Sequence, residues 1–111
     1  MKTITLITQG NRGEVQPFLA LATALAKQGY QIRLAAPAAF AHYARRTKLP
    51  FFPISESHSA PAFEAQRAML AAAQGASLII ANLNVLDWAQ AIAEKLECSL
   101  HIVALQPQAP F

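Results

Sequence analysis

Cysteine, charge and long apolar runs are all scarce in this chain of 111 residues. A single cysteine, Cys98, excludes an internal disulfide and a cysteine-based metal set, and its neighbours predict a buried or half-buried bystander. No window approaches the roughly 20 uninterrupted apolar residues of a transmembrane helix, and the first apolar stretch is too short for a signal peptide. The default expectation is a cytoplasmic protein.

Charged residues make up only 14% of the sequence and hydrophobic residues 54%, which excludes a disordered chain and suffices for one core. The length fits a single domain, 1–111. Much of the net charge of +3 comes from Arg45, Arg46 and Lys48. These cations either complement the dipole of a solvated helix end or contact anionic lipid head groups or phosphate, as in peripheral membrane binding. No broad basic face with interleaved aromatics is found, so a nucleic-acid partner is not expected.

Apolar patterning alternates between strands and helices along the whole chain. Predicted strands cover Thr3–Thr8, Tyr30–Ala36, Pro50–Ile54, Ser77–Leu83 and Ser99–Leu105, and predicted helices cover Glu14–Gln28, Pro37–Thr47, Ala62–Gln74 and Val85–Glu97. Such alternation predicts an α/β fold, a Rossmann-like parallel five-stranded sheet of order 3-2-1-4-5 with helices on both faces. Ligands bind such sheets at the carboxyl ends of the strands, where the order reverses. The loops that start at Gln9 and Asn82 therefore line the expected site.

The loop Gly10–Pro17 follows the first strand and excludes several nucleotide sites. It lacks the third glycine of a dinucleotide fingerprint, and the second strand ends without the acid that a ribose needs. It also lacks the lysine of a P-loop, the hydroxyl residues of a flavodoxin-type loop and the paired acids of a receiver domain. What it carries is Glu14, at the start of a helix, where the dipole favours a carboxylate. Glu14 either only complements that dipole or accepts a proton from a substrate hydroxyl.

The segment around this loop resembles the opening of the sterol- and antibiotic-type glycosyltransferases of the GT-B fold, which typically reads G-[ST]-R-G-D-V-Q-P-[FY]-x-A-L. The resemblance covers most of the chain and includes Ile7–Leu21, Ala24–Pro37, Phe40, Leu49–Ile54, Ser77–Asn82, Ala91–Leu105 and the run Leu105–Pro110, which is similar to the family's L-x-P-x-x-P.

The resemblance implies an N-terminal acceptor-binding domain of an inverting glycosyltransferase. In that family a C-terminal domain binds a nucleotide sugar, usually UDP- or dTDP-linked, and no metal acts as chemical catalyst. Carried over, Glu14 is the general base that deprotonates an acceptor hydroxyl. Gly10 and Gly13 let the loop approach acceptor and donor, and Arg12 and its neighbour Asn11 shape the loop and contact substrate.

Three departures from the family pattern bear on function. Position 14 is Glu where Asp is usual, which displaces the carboxylate by one methylene. Only Ser55–Pro61 stands where the family has a long segment, and no donor-domain motif is present in 111 residues. We therefore expect a half that is inactive without a donor-binding domain, supplied by another polypeptide or within a homo-oligomer. The nucleotide sugar is then a co-substrate bound elsewhere, and no cofactor is predicted.

The acceptor class that fits is an apolar, hydroxyl-bearing lipid, sterol or other aglycone. Asn82 and Gln106 follow the fourth and fifth strands, where each either hydrogen-bonds such an acceptor or caps the next turn. The alternatives are a non-catalytic small-molecule or protein-binding module with the same fold, and a truncated product without an independent role. His42, His58 and His101 lack metal-ligand spacing, so no metal site is predicted. Trp88 and Phe63 fall at helical positions, as packing residues do.

Overall fold

The computed structural model describes residues 2–10, 12–54, 62–82 and 85–103, without the side chains of 62–66. The strands are β1 (Thr3–Ile7), β2 (Gln31–Pro37), β3 (Phe51–Ile54), β4 (Leu78–Asn82) and β5 (Ser99–Val103), and the helices are α1 (Arg12–Lys27), α2 (Ala41–Thr47), α3 (Ala62–Ala73) and α4 (Leu86–Leu96). A 3₁₀ turn, Ala38–Phe40, joins β2 to α2. Pro37 is the last residue of β2 and also the N-cap of this 3₁₀ turn, so the helix predicted from Pro37 begins as a 3₁₀ turn and becomes α-helical only at Ala41. The loop predicted at Ser55–Pro61 lies outside the described residues.

All five strands run parallel in the order β3-β2-β1-β4-β5, which confirms the predicted topology. β1 lies in the centre, with Leu6 paired to Leu34 of β2 on one side and to Ile80 of β4 on the other. All five residues of β1 are buried, as expected for a strand covered on both faces.

Side chains of the central strands alternate between two apolar clusters, one on each face of the sheet. Ile4, Leu6 and Leu34 belong to the cluster that contains Phe18 of α1, and we call this side the α1–α2 layer. Ile7 and its partners on the adjacent strands, Ala35 and Ala81, belong to the second cluster, and we call this side the α3–α4 layer. The helical residues of this cluster are Met69, Ala72, Ala73, Ala89, Ile92 and Ala93. Helices therefore cover both faces, as predicted.

The last turn of α3 is held by polar side chains from the sheet. Thr5 Oγ1 donates to the carbonyl of Ala72 at 2.6 Å, and Arg33 donates to the carbonyls of Ala72 and Gln74. The last carbonyls of a helix lack intrahelical donors, and a cation there also complements the dipole. The strand pattern alone made Arg33 one of the polar residues that alternate with Ile32 and Leu34, and its capping of α3 was not predicted.

Three helices end in the same way, with a residue in the left-handed region. The backbone N–H groups of Tyr30, Leu49 and Cys98 donate five residues back to Leu25, Ala44 and Ala93, a bond typical of the Schellman motif. The left-handed residue is Gly29 after α1, the predicted stop, but Lys48 (φ 60°) after α2 and Glu97 (φ 52°) after α4. A search of the sequence for glycine as a helix stop therefore finds neither the end of α2 nor the end of α4.

Strand β3 forms one edge of the sheet and contains Pro53. The N–H of Leu34 donates to the carbonyl of Pro50. The backbone polar groups of residues 50, 52 and 54 therefore point to β2, and those of residues 51 and 53 point to the open edge of the sheet. Pro53 therefore places its missing N–H on the outer edge and removes no bond from the ladder.

Two packing predictions concern α4 and the residue that follows its cap. Trp88 is half-buried and packs against the α3–α4 cluster, as predicted. Cys98 is half-buried against the same cluster, and burial raises the pKa of its thiol, which agrees with the bystander interpretation. The side chain of Phe63 lies outside the described ones.

Candidate functional site at the carboxyl edge of the sheet

The connection from β1 to α1 lies where the strand order reverses. The N–H of Thr8 donates to the carbonyl of Ala35 at 2.9 Å, so the ladder continues one residue beyond β1. Gly10 then adopts φ 132°, a conformation that L side chains rarely take, and α1 already begins at Arg12. Arg12 and Gly13 thus belong to the first helical turn, where a loop was predicted up to Gly13. The predicted Asn11 lies outside the described residues.

Asn82 joins this connection to the end of β4. Its Nδ2 donates to the carbonyl of Gln9 at 2.9 Å, and its Oδ1 accepts from the N–H of Gln9 at 3.4 Å. The side chain is 3% exposed, so the amide ties together the two loops that flank the switch point. The structure thus places Asn82 at the predicted site in a bracing position, while its contact with an acceptor stays a prediction. Gln106 lies outside the described residues.

Glu14 lies in the first turn of α1 and is half-buried. The first four N–H groups of a helix have no intrahelical acceptor, and with the dipole they favour negative charge there. Arg12 and Gly13 are exposed beside it. This turn brings Glu14, Arg12 and Gly13 together with Gly10 and the Gln9–Asn82 pair at one edge of the sheet.

Pro17 changes the hydrogen bonding of that turn. With α1 beginning at Arg12, Pro17 stands in the second turn, whereas the sequence predicted a first-turn position. Its ring has no N–H to give to the carbonyl four residues earlier, that of Gly13. The Gly13 oxygen therefore does not receive the intrahelical bond from residue 17 that a helix normally supplies, and it remains a candidate acceptor for a ligand hydroxyl.

An open groove of about 450 Å³ begins at this point and runs along α1 to α2. It is lined by Gly13, Gln16, Pro17, Leu19, Ala20 and Tyr43. The hydroxyl of Tyr43 lies 3.1 Å from Thr23 Oγ1 and donates to the carbonyl of Leu19 at 3.4 Å, which fixes the ring as one wall. Gln16 and Tyr43 were not predicted as site residues, and the signal that points to the groove is Pro17 four residues after Gly13.

Thr8 is a second residue that the sequence did not mark. It has no exposed surface, and its Oγ1 finds no hydrogen-bond partner among the described residues. Because the ladder extends to Thr8, the alternation of β1 puts its side chain on the same side as Ile4 and Leu6, toward α1. A buried polar atom without a hydrogen-bond partner lowers the stability of the fold, so this hydroxyl is an unfavourable feature of the core beneath the site.

The remaining polar candidates lie apart. His42 and His101 are exposed on α2 and β5, and His58 lies outside the described residues. Among the residues the structure describes, no three His, Cys, Asp or Glu side chains come together in a way that could hold a metal ion. No helix in the described ranges is both long enough and apolar enough to cross a bilayer.

A family comparison agrees with this geometry. The model of the glycosyltransferase family 28 N-terminal domain matches residues 4–103. The chain belongs to this family. The predicted relationship to GT-B glycosyltransferases is thereby confirmed, and the match extends from the second residue of β1 to the end of β5.

Relatives of this family 28 domain include sterol 3-beta-glucosyltransferases and a 6-deoxyallosyltransferase. The chain is 41% identical over 51 residues to sterol 3-beta-glucosyltransferase UGT80B1 of Arabidopsis thaliana, 46% of this chain and 8% of that protein. It is 53% identical over 36 residues to O-mycaminosyltylonolide 6-deoxyallosyltransferase of Streptomyces fradiae, 32% of this chain and 8% of that protein. Each matched segment is therefore a small part of the relative's length.

The fold of the family 28 domain recurs in the glycosyltransferase SsfS6 of Streptomyces sp. SF2575, solved in complex with thymidine diphosphate. The superposition has a TM-score of 0.74 at 17% identity and covers 99% of this chain and 40% of that one. At this identity the likeness concerns the Rossmann-like fold alone.

Proposed function

We propose that this chain is the acceptor-binding half of an inverting glycosyltransferase that moves a hexose from a nucleotide sugar to a hydroxyl of a lipid, sterol or other apolar aglycone. The observation that carries the proposal is the position of Glu14, in the first turn of α1 at the switch point of the sheet. The family 28 match over residues 4–103 supports it.

In this proposal Glu14 accepts the proton of the acceptor hydroxyl as the oxygen attacks the anomeric carbon of the sugar. The hydroxyl O–H bond breaks, a glycosidic C–O bond forms on the opposite face from the departing nucleotide diphosphate, and the proton moves to the carboxylate. In the first turn of a helix the N–H groups have no intrahelical acceptor, and together with the dipole they favour a carboxylate at that position. The Gln9–Asn82 pair supports the position of Glu14 because it anchors the loop that leads into α1.

The acceptor would lie in the groove between α1 and α2. Its walls are the apolar parts of Pro17, Leu19, Ala20 and Tyr43, and the Gly13 carbonyl supplies a polar group at the end nearest Glu14. A groove that has apolar walls and a polar group near Glu14 suits a bulky hydrophobic acceptor that presents a hydroxyl.

The nucleotide sugar would be held by a second domain. SsfS6 was solved in complex with thymidine diphosphate, and this supports a nucleotide-linked donor. This chain covers only 40% of SsfS6, which supports a donor site in a part of the enzyme that this chain does not match. Calorimetry of the isolated chain with UDP-glucose should therefore give no binding, and tight binding would contradict a donor site outside this domain.

The test of the proposed base is transfer by the chain joined to a nucleotide-sugar-binding domain of a family relative, with UDP-glucose and a sterol. The Glu14→Gln variant should lower the rate by about 10²- to 10⁴-fold, the usual contribution of a general base. Glu14→Asp, which keeps the carboxylate but moves it by one methylene, should lower the rate less than Glu14→Gln does. Glu94→Gln, a matched change of an exposed acid on α4, should leave the rate unchanged.

Transfer that is indifferent to Glu14→Gln would refute the assignment of the base. Sterol binding without any transfer, in wild type and variants alike, would instead favour a non-catalytic binding module. Mass spectrometry of the glucosylated sterol separates these outcomes, because it reports product while equilibrium dialysis of the same sterol reports binding.

A further inference from the structure

Asn82 combines a backbone that is fixed in the sheet with a side chain that bonds to the connection from β1 to α1. Its backbone is paired with Val103 of β5. Ile80, two residues earlier, belongs to the α1–α2 layer, so the alternation of β4 puts the Asn82 side chain on the side of α1. The amide therefore extends from a fixed strand toward the segment that leads into that helix.

The Asn82 amide takes the place of a strand neighbour for Gln9. The ladder between β1 and β4 ends with the pair Ile7 and Ala81. Beyond that pair, Asn82 Nδ2 donates to the carbonyl of Gln9 at 2.9 Å, and Oδ1 accepts from the N–H of Gln9 at 3.4 Å. A primary amide carries a donor and an acceptor in one plane, as a peptide group does. One side chain thus satisfies both backbone polar groups of Gln9.

The burial of Asn82 argues against direct contact with an acceptor. The residue is 3% exposed, and both polar atoms of its side chain are engaged with Gln9. An acceptor hydroxyl could reach the amide only if the backbone of Gln9 moved away, which would leave buried polar groups unpaired. The side chain therefore acts on the connection and not on a ligand.

The connection that Asn82 holds leads directly to Glu14. Gly10, the residue after Gln9, has φ 132°, and glycine allows the backbone more conformations than any other residue. On the other side of Glu14, Val15 has no exposed surface and packs in the α1–α2 cluster. The first turn of α1 thus lies between two fixed points. Loss of the Asn82 bonds would free the glycine-containing side and let this turn shift.

We propose that Asn82 is a positioning residue for glycosyl transfer, which fixes Gln9 so that Glu14 meets the acceptor hydroxyl and which does not itself touch the acceptor. The inference rests on the proposed function of Glu14 as the base. Misplacement of a reacting group by about 1 Å can lower a rate by about 10²-fold. Loss of the amide should therefore lower kcat and leave the affinity for the acceptor unchanged.

The test compares Asn82→Ala with the wild type in the chain joined to a nucleotide-sugar-binding domain of a family relative, with UDP-glucose and a sterol. We expect kcat to fall by about 10- to 10²-fold, while equilibrium dialysis gives an unchanged Kd for the sterol. In a Glu14→Gln background, Asn82→Ala should cause little further loss, because changes that act through one group are not additive. If Asn82→Ala does not fold, Asn82→Asp, which has the same shape and loses only the donor, should show the same split between kcat and Kd.

The matched control is Thr5→Val. It also removes a buried hydrogen bond from a side chain to a backbone carbonyl, but at the end of α3, so it should leave kcat unchanged. Circular dichroism at the assay temperature confirms that each variant is folded.

Three results would overturn the assignment. A weaker Kd for the sterol at unchanged kcat would make Asn82 an acceptor contact. Equal losses with and without the Glu14 carboxylate would show that Asn82 acts independently of the base, and an equal loss in Thr5→Val would show a general effect of lowered stability. A loss of rate in Glu14→Gln with none in Asn82→Ala refutes the positioning role alone, whereas indifference to Glu14→Gln refutes the proposed function as well.

Discussion

Two buried threonines, one within β1 and one directly after it, differ in their hydrogen bonding. Thr5 donates to the carbonyl of Ala72 and so helps to cap α3, whereas the Thr8 hydroxyl has no partner in the described part of the chain. Both are fully buried. The difference arises from the face each side chain takes, because Thr5 points to the end of α3 and Thr8 to the start of α1.

Thr8→Val should therefore stabilise the chain, and Thr5→Val should destabilise it. A buried hydroxyl without a partner costs about 1–3 kcal/mol, and a satisfied one contributes about 1 kcal/mol. In urea unfolding the two isosteric variants should shift the midpoint in opposite directions. A loss of stability in both variants would mean that the Thr8 hydroxyl is satisfied in solution.

At the scale of single elements, α2 and α4 end at residues whose backbone conformation is unfavourable for an L amino acid. Lys48 and Glu97 adopt the left-handed conformation that Gly29 adopts after α1. An L side chain in this conformation costs about 1–2 kcal/mol. Replacement by glycine recovers only part of that energy, because glycine loses more conformational freedom on folding. The charges differ in effect, since a cation at a helix C-terminus is favourable and a carboxylate is not.

Glu97→Gly should raise the free energy of unfolding by about 1 kcal/mol, because it relieves the backbone and removes an unfavourable charge. Lys48→Gly should change it by much less, since relief of the backbone is offset by loss of a favourable cation. Thermal unfolding of both variants checks the ranking. An equal gain in the two would show that the dipole has no measurable part.

Element patterns were more predictable than element ends. The alternation of strand segments with helical segments along the chain was sufficient for the strand order and for the two helical layers. The start of α1 was predicted at Glu14, after a turn with two glycines at Gln9–Gly13, but the helix begins at Arg12 and includes Gly13. The Gln9–Asn82 pair and the capping by Arg33 depend on contacts 73 and 39 residues apart, which no local pattern contains.

At the scale of the whole molecule, both apolar clusters share the central strands. Leu34 has no exposed surface in the α1–α2 layer, and Ile79 has none in the α3–α4 layer. Because a single sheet separates the clusters, neither layer can lose its packing without disturbing the strands that the other requires. The two layers should unfold together.

Leu34→Ala should lower the free energy of unfolding by about 2–5 kcal/mol. Fluorescence of Trp88, which packs on the opposite layer, should report the same urea midpoint as circular dichroism. Ile79→Ala serves as the matched change on the side of Trp88. A Trp88 midpoint that stays at the wild-type value in Leu34→Ala would show that the layers unfold separately.

The outward position of Pro53 has a consequence for association between molecules. Open β-edges are the places where a foreign strand adds and fibres begin. Of the outward-facing residues of β3, Phe51 can offer an N–H and Pro53 cannot, so a strand added beside β3 would find the ladder interrupted after one donor. Protection against fibre growth on this side thus comes from one residue, and the native sheet loses no hydrogen bond for it.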